Sequence, residues 1–241
     1  MHQPWGFYRH LGYVLKLNRT LYGLKQAPRY FFKHLPERII EAGCKPSDHD
    51  PCLFLSSDVV VICYVDDLLV YGRTDDAINV FIQQMAIQDV KLRREGTAEG
   101  FLGVDIKRDG NKTVLTQSGL AKCVVEALGL CTKYTNSLST PAECGALPCD
   151  PSGTPYTGPI SYSSVVGMLL YLTGHSRPDC SFAVHQCARY TFEPKFSHIT
   201  ALSRISKYIK GTLDKGLILD PSDELSLECC PDADLAGLWG R

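Results

Sequence analysis

A chain of 241 residues with 44% hydrophobic and 21% charged residues can bury a sizeable core, in one large domain or two smaller ones. Its formal net charge of −1 excludes recognition of nucleic acid by bulk charge, so any such role must rest on local basic patches. The longest apolar runs, such as VVVICYV at 59–65, are too short to span a bilayer, so no membrane partner is expected.

In chain order, the aromatic and Gly-rich stretch from Met1 to Tyr13 reads as irregular chain without the apolar segment of a signal peptide. Phe31, Leu35, Ile39 and Ala42 recur at helical spacing and predict an amphipathic helix over 27–42, with Pro36 as a kink or early end. Three strands follow, at 51–55, 59–64 and 68–71, leaving Val65, Asp66 and Asp67 at a turn. Thr74, Asp75 and Asp76 open a helix with Ile78, Phe81, Ile82 and Met85 on one face. Strands at 101–107 and 113–116 flank a hairpin signal at 108–112. Ser118 is expected to cap a helix that runs to about Leu128 and stops at Gly129. Residues 131–160, rich in Pro, Gly, Ser and Thr, read as a linker. Helices are predicted over 161–173, 180–192 and 197–210, and strand-like pieces at 217–219 and 225–230. The fold class is therefore α+β.

The eleven cysteines include no CxxC pair; Cys144 and Cys149 lie five apart, and Cys229 and Cys230 are adjacent. Without histidines at ligand spacing beside them, no zinc site is expected. The thiols fit a reducing, intracellular setting in which they pack as small apolar groups.

The stretch with the sharpest chemistry is ICYVDDLLVYG, 62–72. Two adjacent carboxylates repel, and burying them unpaired is costly. Turn residues are one explanation, since Asp is common in turns. The other is a divalent cation: Mg²⁺ takes hard oxygen ligands, usually one or two carboxylates plus phosphates and water. Neighbours on a strand point to opposite faces, whereas a tight turn can aim two successive side chains at one site.

YVDD between VVVIC and LLVYG resembles the active-site hairpin of reverse transcriptases, and the chain as a whole resembles the polymerase region of copia-type LTR retrotransposon polyproteins. LYGLKQAPRYFFKHL, DHDPCLF, FLGVDIKR and LTQSGLAKCVVEALGL occur in that family's order. So do YSSVVGMLLYLTGHSRPDCSFAV, HITALSRISKYIKGTLDKGL and PDADLAGLWGR. The resemblance covers essentially all 241 residues. It implies a partial right-hand polymerase (fingers, palm and thumb) over 1–130, the linker at 131–160, helical connection elements over 161–221, and the opening strand of a ribonuclease H-like domain over 222–241.

It further implies RNA-directed DNA polymerisation on an RNA or DNA template-primer with dNTPs. Asp66 and Asp67 would be the catalytic and metal-binding pair for Mg²⁺, or Mn²⁺ in its place. Tyr64 would lie near the primer end. Gly23, Lys25, Gln26 and Arg29 would lie near template and incoming nucleotide, and Asp232 would match the first ribonuclease H carboxylate. An intact element would act in the cytoplasm, in a virus-like particle, or in the nucleus. The family's third catalytic aspartate lies upstream, in a VKTAFLHG-like strand shortly before a MxQPxGF segment. Here MHQPWGF comes first, so the third carboxylate is expected to be missing and the 241 residues alone to be inactive. Asp232 is expected to be vestigial, its partner acids lying beyond Arg241, and Leu235 replaces the family's Trp. The alternative is a non-catalytic nucleic-acid-binding or structural remnant. Oligomeric state is left open.

Three further groups have bland readings beside sharper ones. Arg204, Lys207, Lys210 and Lys215 form either a solvated face or a nucleic-acid track. Asp105 is expected to serve the outer face of its hairpin. His175, His185 and His198 lack mutual ligand spacing and are expected to be structural or exposed.

Overall fold

The computed structural model describes residues 5–6, 12–18, 20–21, 23–96, 98–132, 135–143 and 145–221, in two compact units divided between Gly96 and Thr97. No helix among the described residues is long and apolar enough to cross a membrane.

In the first unit, helix α1 (Ala27–Glu41) buries Leu35 and Ile39. Pro36 lies inside it and does not end it, contrary to the sequence expectation. An interior proline costs about 3 kcal/mol. Burial of Leu35 and Ile39, at about 1.5–3 kcal/mol each, is enough to hold the turn together around it. Strands β1 (Lys45–Pro46), β2 (Leu53–Leu55), β3 (Val59–Tyr64) and β4 (Asp67–Gly72) form one antiparallel sheet in that order. Helix α2 (Asp75–Ile87) starts where Thr74 accepts the Ala77 amide, with Asp75 and Asp76 in the first turn, and it buries Phe81 and Met85. It packs so closely on β4 that a Cβ at Gly72 would meet the Ile78 side chain at 2.5 Å, which excludes any larger residue there. The core joins Leu35, Ile39, Phe54, Val61, Cys63, Phe81 and Met85.

In the second unit, β5 (Gly100–Phe101), β6 (Val104–Asp109), β7 (Lys112–Thr116) and β8 (Leu217–Leu219) form a second antiparallel sheet. The strand expected over 101–107 is broken at Leu102 and Gly103, both in the left-handed region (φ 52° and 72°), so it folds back on itself as β5 and β6. Helices α3 (Ser118–Ala127), α4 (Tyr162–His175), α5 (Ser181–Ala188) and α6 (Phe196–Lys210) surround a core that includes Val124, Leu169, Val184, Leu202 and Ile209. Ser118 is the first residue of α3 and does not cap it. Gln117 holds the cap position without a side-chain bond, and the Ser118 hydroxyl donates to Asp105 at 3.4 Å. The helix expected over 180–192 stops at Ala188, where the Tyr190 and Thr191 amides turn back onto the Cys187 and Ala188 carbonyls.

The stretch expected as a linker, 131–160, lies within the second unit and packs on its helices. Ala142, Leu147, Tyr156 and Ile160 rest against the helical core, Tyr190 donates to the Leu147 carbonyl at 2.9 Å, and Ser197 donates to Asp150 at 2.6 Å. The piece expected at 225–230 and Asp232 lie outside the described residues.

Candidate active site

Strands β3 and β4 pair from Val59 opposite Gly72 to Tyr64 opposite Asp67, leaving Val65 and Asp66 as a two-residue loop. Asp67 therefore opens β4 rather than sitting in the loop. Val65 has φ 53°, and Asp66 is not among the residues with positive φ. This is the pattern of a type II′ hairpin turn, whose first central position is normally glycine. A β-branched residue there is strained.

Alternation along the two strands decides what each side chain meets. Val59, Val61 and Cys63 point into the core, where Leu68 and Val70 join them. Val60, Ile62 and Tyr64, with Asp67, Leu69 and Tyr71 opposite, occupy the other face. Asp66 and Asp67 are both exposed, and neither side chain has a hydrogen bond or ion pair among the described residues. No third His, Cys, Asp or Glu among the described residues joins them in a cluster able to hold a metal. What stands at the hairpin tip is two successive hard-oxygen donors without a protein counter-charge, carried on strands anchored in the core. That donor set suits a divalent cation such as Mg²⁺ and leaves most coordination positions open.

Tyr64 is exposed beside Asp67. Gly23 sits before α1 with φ 92°, Gln26 is the helix's N-cap residue, and Lys25 and Arg29 are exposed at the helix start. No hydrogen bond or ion pair among the described residues joins these four to Asp66 or Asp67. Asp105 lies on β6 in the second unit.

The basic track loses two members to structural work. Arg204 pairs with Glu143 at 3.0 Å and bonds Thr140 at 3.1 Å. Lys210 donates to the carbonyls of Leu130, Thr132 and Thr135 at 2.9, 2.6 and 3.1 Å. Of the three histidines, His198 is fully buried and structural, while His175 and His185 are exposed and bond the Tyr171 and Ser181 carbonyls of their own helices.

Among the eight described cysteines, Cys44, Cys63, Cys180 and Cys187 are buried and Cys123, Cys131 and Cys149 exposed. Burial pushes the thiols of Cys63 and Cys187 up to about 11 and that of Cys180 to about 12, so they stay protonated and pack as apolar groups.

One network was not singled out by sequence reasoning. Arg177, almost fully buried, donates through Nε and Nη2 to the two oxygens of Asp179 at 3.0 and 2.9 Å. It also donates to the Thr212 carbonyl at 2.9 Å and hydroxyl at 2.8 Å, while Tyr208 donates to Asp179 at 2.7 Å. Burial raises the Asp179 carboxyl, but the bonds from Arg177 and Tyr208 and the guanidinium charge together outweigh it, leaving the group below its ordinary value. The signal available was the pairing of SRPD with YIKGT, both within stretches quoted above for other reasons.

Residues 1–143 match the family described as reverse transcriptase (RNA-dependent DNA polymerase). Among curated proteins, the chain is 33% identical over 244 residues to the retrovirus-related Pol polyprotein from transposon RE1 of Arabidopsis thaliana, covering 98% of this chain and 16% of that protein. It is 31% identical to the corresponding polyprotein from transposon RE2 of the same plant, covering 98% and 16%. It is 30% identical to that from transposon TNT 1-94 of Nicotiana tabacum, covering 98% and 19%. The chain thus spans less than a fifth of the length of these copia-type polyproteins. No solved structure matches it. With the family's match running through the hairpin that carries Tyr64, Asp66 and Asp67, the chain belongs to the reverse transcriptase (RNA-dependent DNA polymerase) family.

Proposed function

We propose that this chain carries the metal-binding hairpin of an RNA-directed DNA polymerase that copies an RNA or DNA template-primer with dNTPs. Its first unit would be fingers and palm; the thumb, connection elements and a ribonuclease H-like start would follow. The observation that carries this reading is the two-residue turn, which sets Asp66 at a loop tip and Asp67 at the first paired position, both exposed and free of protein partners.

In this reading Asp66 and Asp67 hold Mg²⁺, or Mn²⁺ in its place. The metal, when bound, lowers the cost of charge on the attacking 3′-hydroxyl and on the phosphate oxygens. The hairpin's contribution is position. Its strands fix the carboxylates, and Tyr64 opposite Asp67 offers an aromatic face where the primer end would stack. Gly23, Lys25, Gln26 and Arg29 would contact template and dNTP phosphate through an open backbone and exposed polar groups. Asp232 would be a metal ligand only with acids from outside these residues.

Two carboxylates hold the ion weakly. The 241 residues alone are therefore expected to extend a primer at little above background, and a further carboxylate from outside them would be needed for full rate. The test pairs two measurements on the purified chain. Manganese binding, followed by the loss of free Mn²⁺ resonance in the presence of dNTP, should fall by about ten-fold or more in the double variant Asp66→Asn, Asp67→Asn. Unchanged binding would refute the site. Robust primer extension by the 241 residues would refute the need for a further ligand.

A further inference from the structure

We propose that the outer edge of β4 is a self-complementary surface through which two copies of this chain join their sheets. Among the described residues the sheet ends at β4, and no strand pairs with its outer side. The hairpin fixes which backbone groups face that side. Tyr64 and Asp67 close the turn, and the Arg73 amide donates to the Asp58 carbonyl at 3.0 Å in continuation of the same ladder. Asp67, Leu69, Tyr71 and Arg73 thus spend their hydrogen bonds on β3, and Leu68, Val70 and Gly72 aim theirs outward.

An open edge usually carries a lysine, a proline or a bulge that blocks further pairing. The strand DLLVYG has none of these: its pairing to β3 is unbroken, and its single charge is Asp67. What the edge does carry is a register. Consider antiparallel pairing of two β4 strands about a two-fold axis at Val70. Leu68 then meets Gly72 of the second copy, Leu69 meets Tyr71, and Asp67 meets Arg73. The outward-facing groups of Leu68, Val70 and Gly72 bond one another, and each acid faces a base twice over by symmetry.

Core-facing side chains stay on one side of the joined sheet, because residues directly opposite share a face. A one-residue slip would turn Leu68 and Val70 out of the core side, and a two-residue slip would set Asp67 or Arg73 against an apolar side chain. Asp67 and Arg73 have no ion pair of their own among the described residues. This charge complementarity selects a second copy of the chain over an unrelated extended peptide. The inference does not depend on the polymerase reading, because the test reads association and not activity.

The experiment is sedimentation of the purified 241-residue chain across the micromolar range, with hydrogen exchange at the same concentrations. A monomer–dimer equilibrium is expected, and the amides of Leu68, Val70 and Gly72 should gain protection as the dimer forms. Those of Leu69 and Tyr71 should be protected throughout. Arg73→Glu should weaken the dimer by about ten-fold or more, and the exchange of both charges (Asp67→Arg with Arg73→Asp) should restore it. Val70→Pro, which removes an outward amide at the axis, should give a monomer with an unchanged circular dichroism spectrum. If that variant does not fold, the charge exchange still decides. A monomer at every concentration, a dimer indifferent to Arg73→Glu, or protection of the three amides that does not depend on concentration would overturn the proposal. The last result would mean that another segment of the same chain covers the edge.

Discussion

Tyr64 and Asp67 stand directly opposite one another at the end of the β3–β4 hairpin, so the aromatic ring and the carboxylate emerge on the same face of the sheet. That face is turned away from the core of Phe81 and Met85. Had Asp66 also belonged to the strand, alternation would have sent its side chain to the core side with Leu68. The tightness of the turn is what allows two neighbouring acids at one end of the molecule.

The tightness has a cost at Val65. A residue with a branched Cβ at φ 53° is held in a region that disfavours L side chains by about 1–2 kcal/mol. Val65 is exposed, so little packing offsets this. Val65→Gly removes the strain and adds unfolded-state freedom worth about 0.4–1 kcal/mol. A net stabilisation of about 1 kcal/mol is expected, read as a higher midpoint in thermal or urea unfolding. An equal or lower midpoint would show that the turn is not strained.

The Arg177 network predicts the opposite kind of effect. Removing one partner of a buried ion pair typically costs about 3–5 kcal/mol. Because the Asp179 side chain is 40% exposed, the lower end of that range applies to Arg177→Ala. Arg177→Lys should recover little, since an ammonium cannot make the paired bonds to the carboxylate and also reach both oxygens of Thr212. Equilibrium unfolding of the two variants beside the parent chain checks this. A lysine variant as stable as the parent would mean that charge alone, and not the fork, holds the corner.

Much of this molecule was legible before any coordinates. The strand at 59–64, the capped helix after Thr74 and the helix over 197–210 follow from periodicity and caps, which are local signals. The catalytic hairpin followed from its motif. What was not legible depends on partners distant in the chain. Pro36 was expected to end α1, and only the burial of Leu35 and Ile39 explains why it does not. Residues 131–160 look like a linker by composition, yet Leu147, Asp150 and Thr140 find partners on helices that begin later in the sequence. The positive φ of Val65 had no residue signal at all, since the sequence shows valine where such a turn calls for glycine.

His198 gives the second unit a pH dependence. The ring is fully buried, stacks on Tyr190 at 3.9 Å, accepts the Lys195 amide at Nδ1 and donates from Nε2 to the Pro148 carbonyl. Burial lowers its pKa by more than the Pro148 bond restores, so the folded chain keeps it neutral. The unfolded chain, near the ordinary 6.5, takes up the proton first, and stability therefore rises with pH across this window. As the pH falls below about 6.5, stability should be lost until the lowered folded value is passed. His198→Gln should flatten that part of the curve in urea unfolding at a series of pH values. An unchanged slope would assign the dependence elsewhere.

Lys210 is the last residue of α6, and its ammonium spends three donors on the carbonyls of Leu130, Thr132 and Thr135. Those oxygens lie just beyond the end of α3, where backbone acceptors lack helical partners. One cation thus closes the end of one helix and pins the segment that follows it to another. Lys210→Met keeps much of the aliphatic stem and removes the donors, and each lost bond to a charged group is worth about 1.5–3 kcal/mol before solvent replaces it. Because the Leu130 and Thr135 bonds are partly buried and that to Thr132 is exposed, the net cost should be about 2 kcal/mol. The more specific expectation is local. Limited proteolysis of Lys210→Met should cut within 131–143 well before the parent chain is cut there, while the core helices keep their exchange protection. If the segment is equally resistant in both, the contacts of Leu147 and Asp150 further along hold it without help from Lys210.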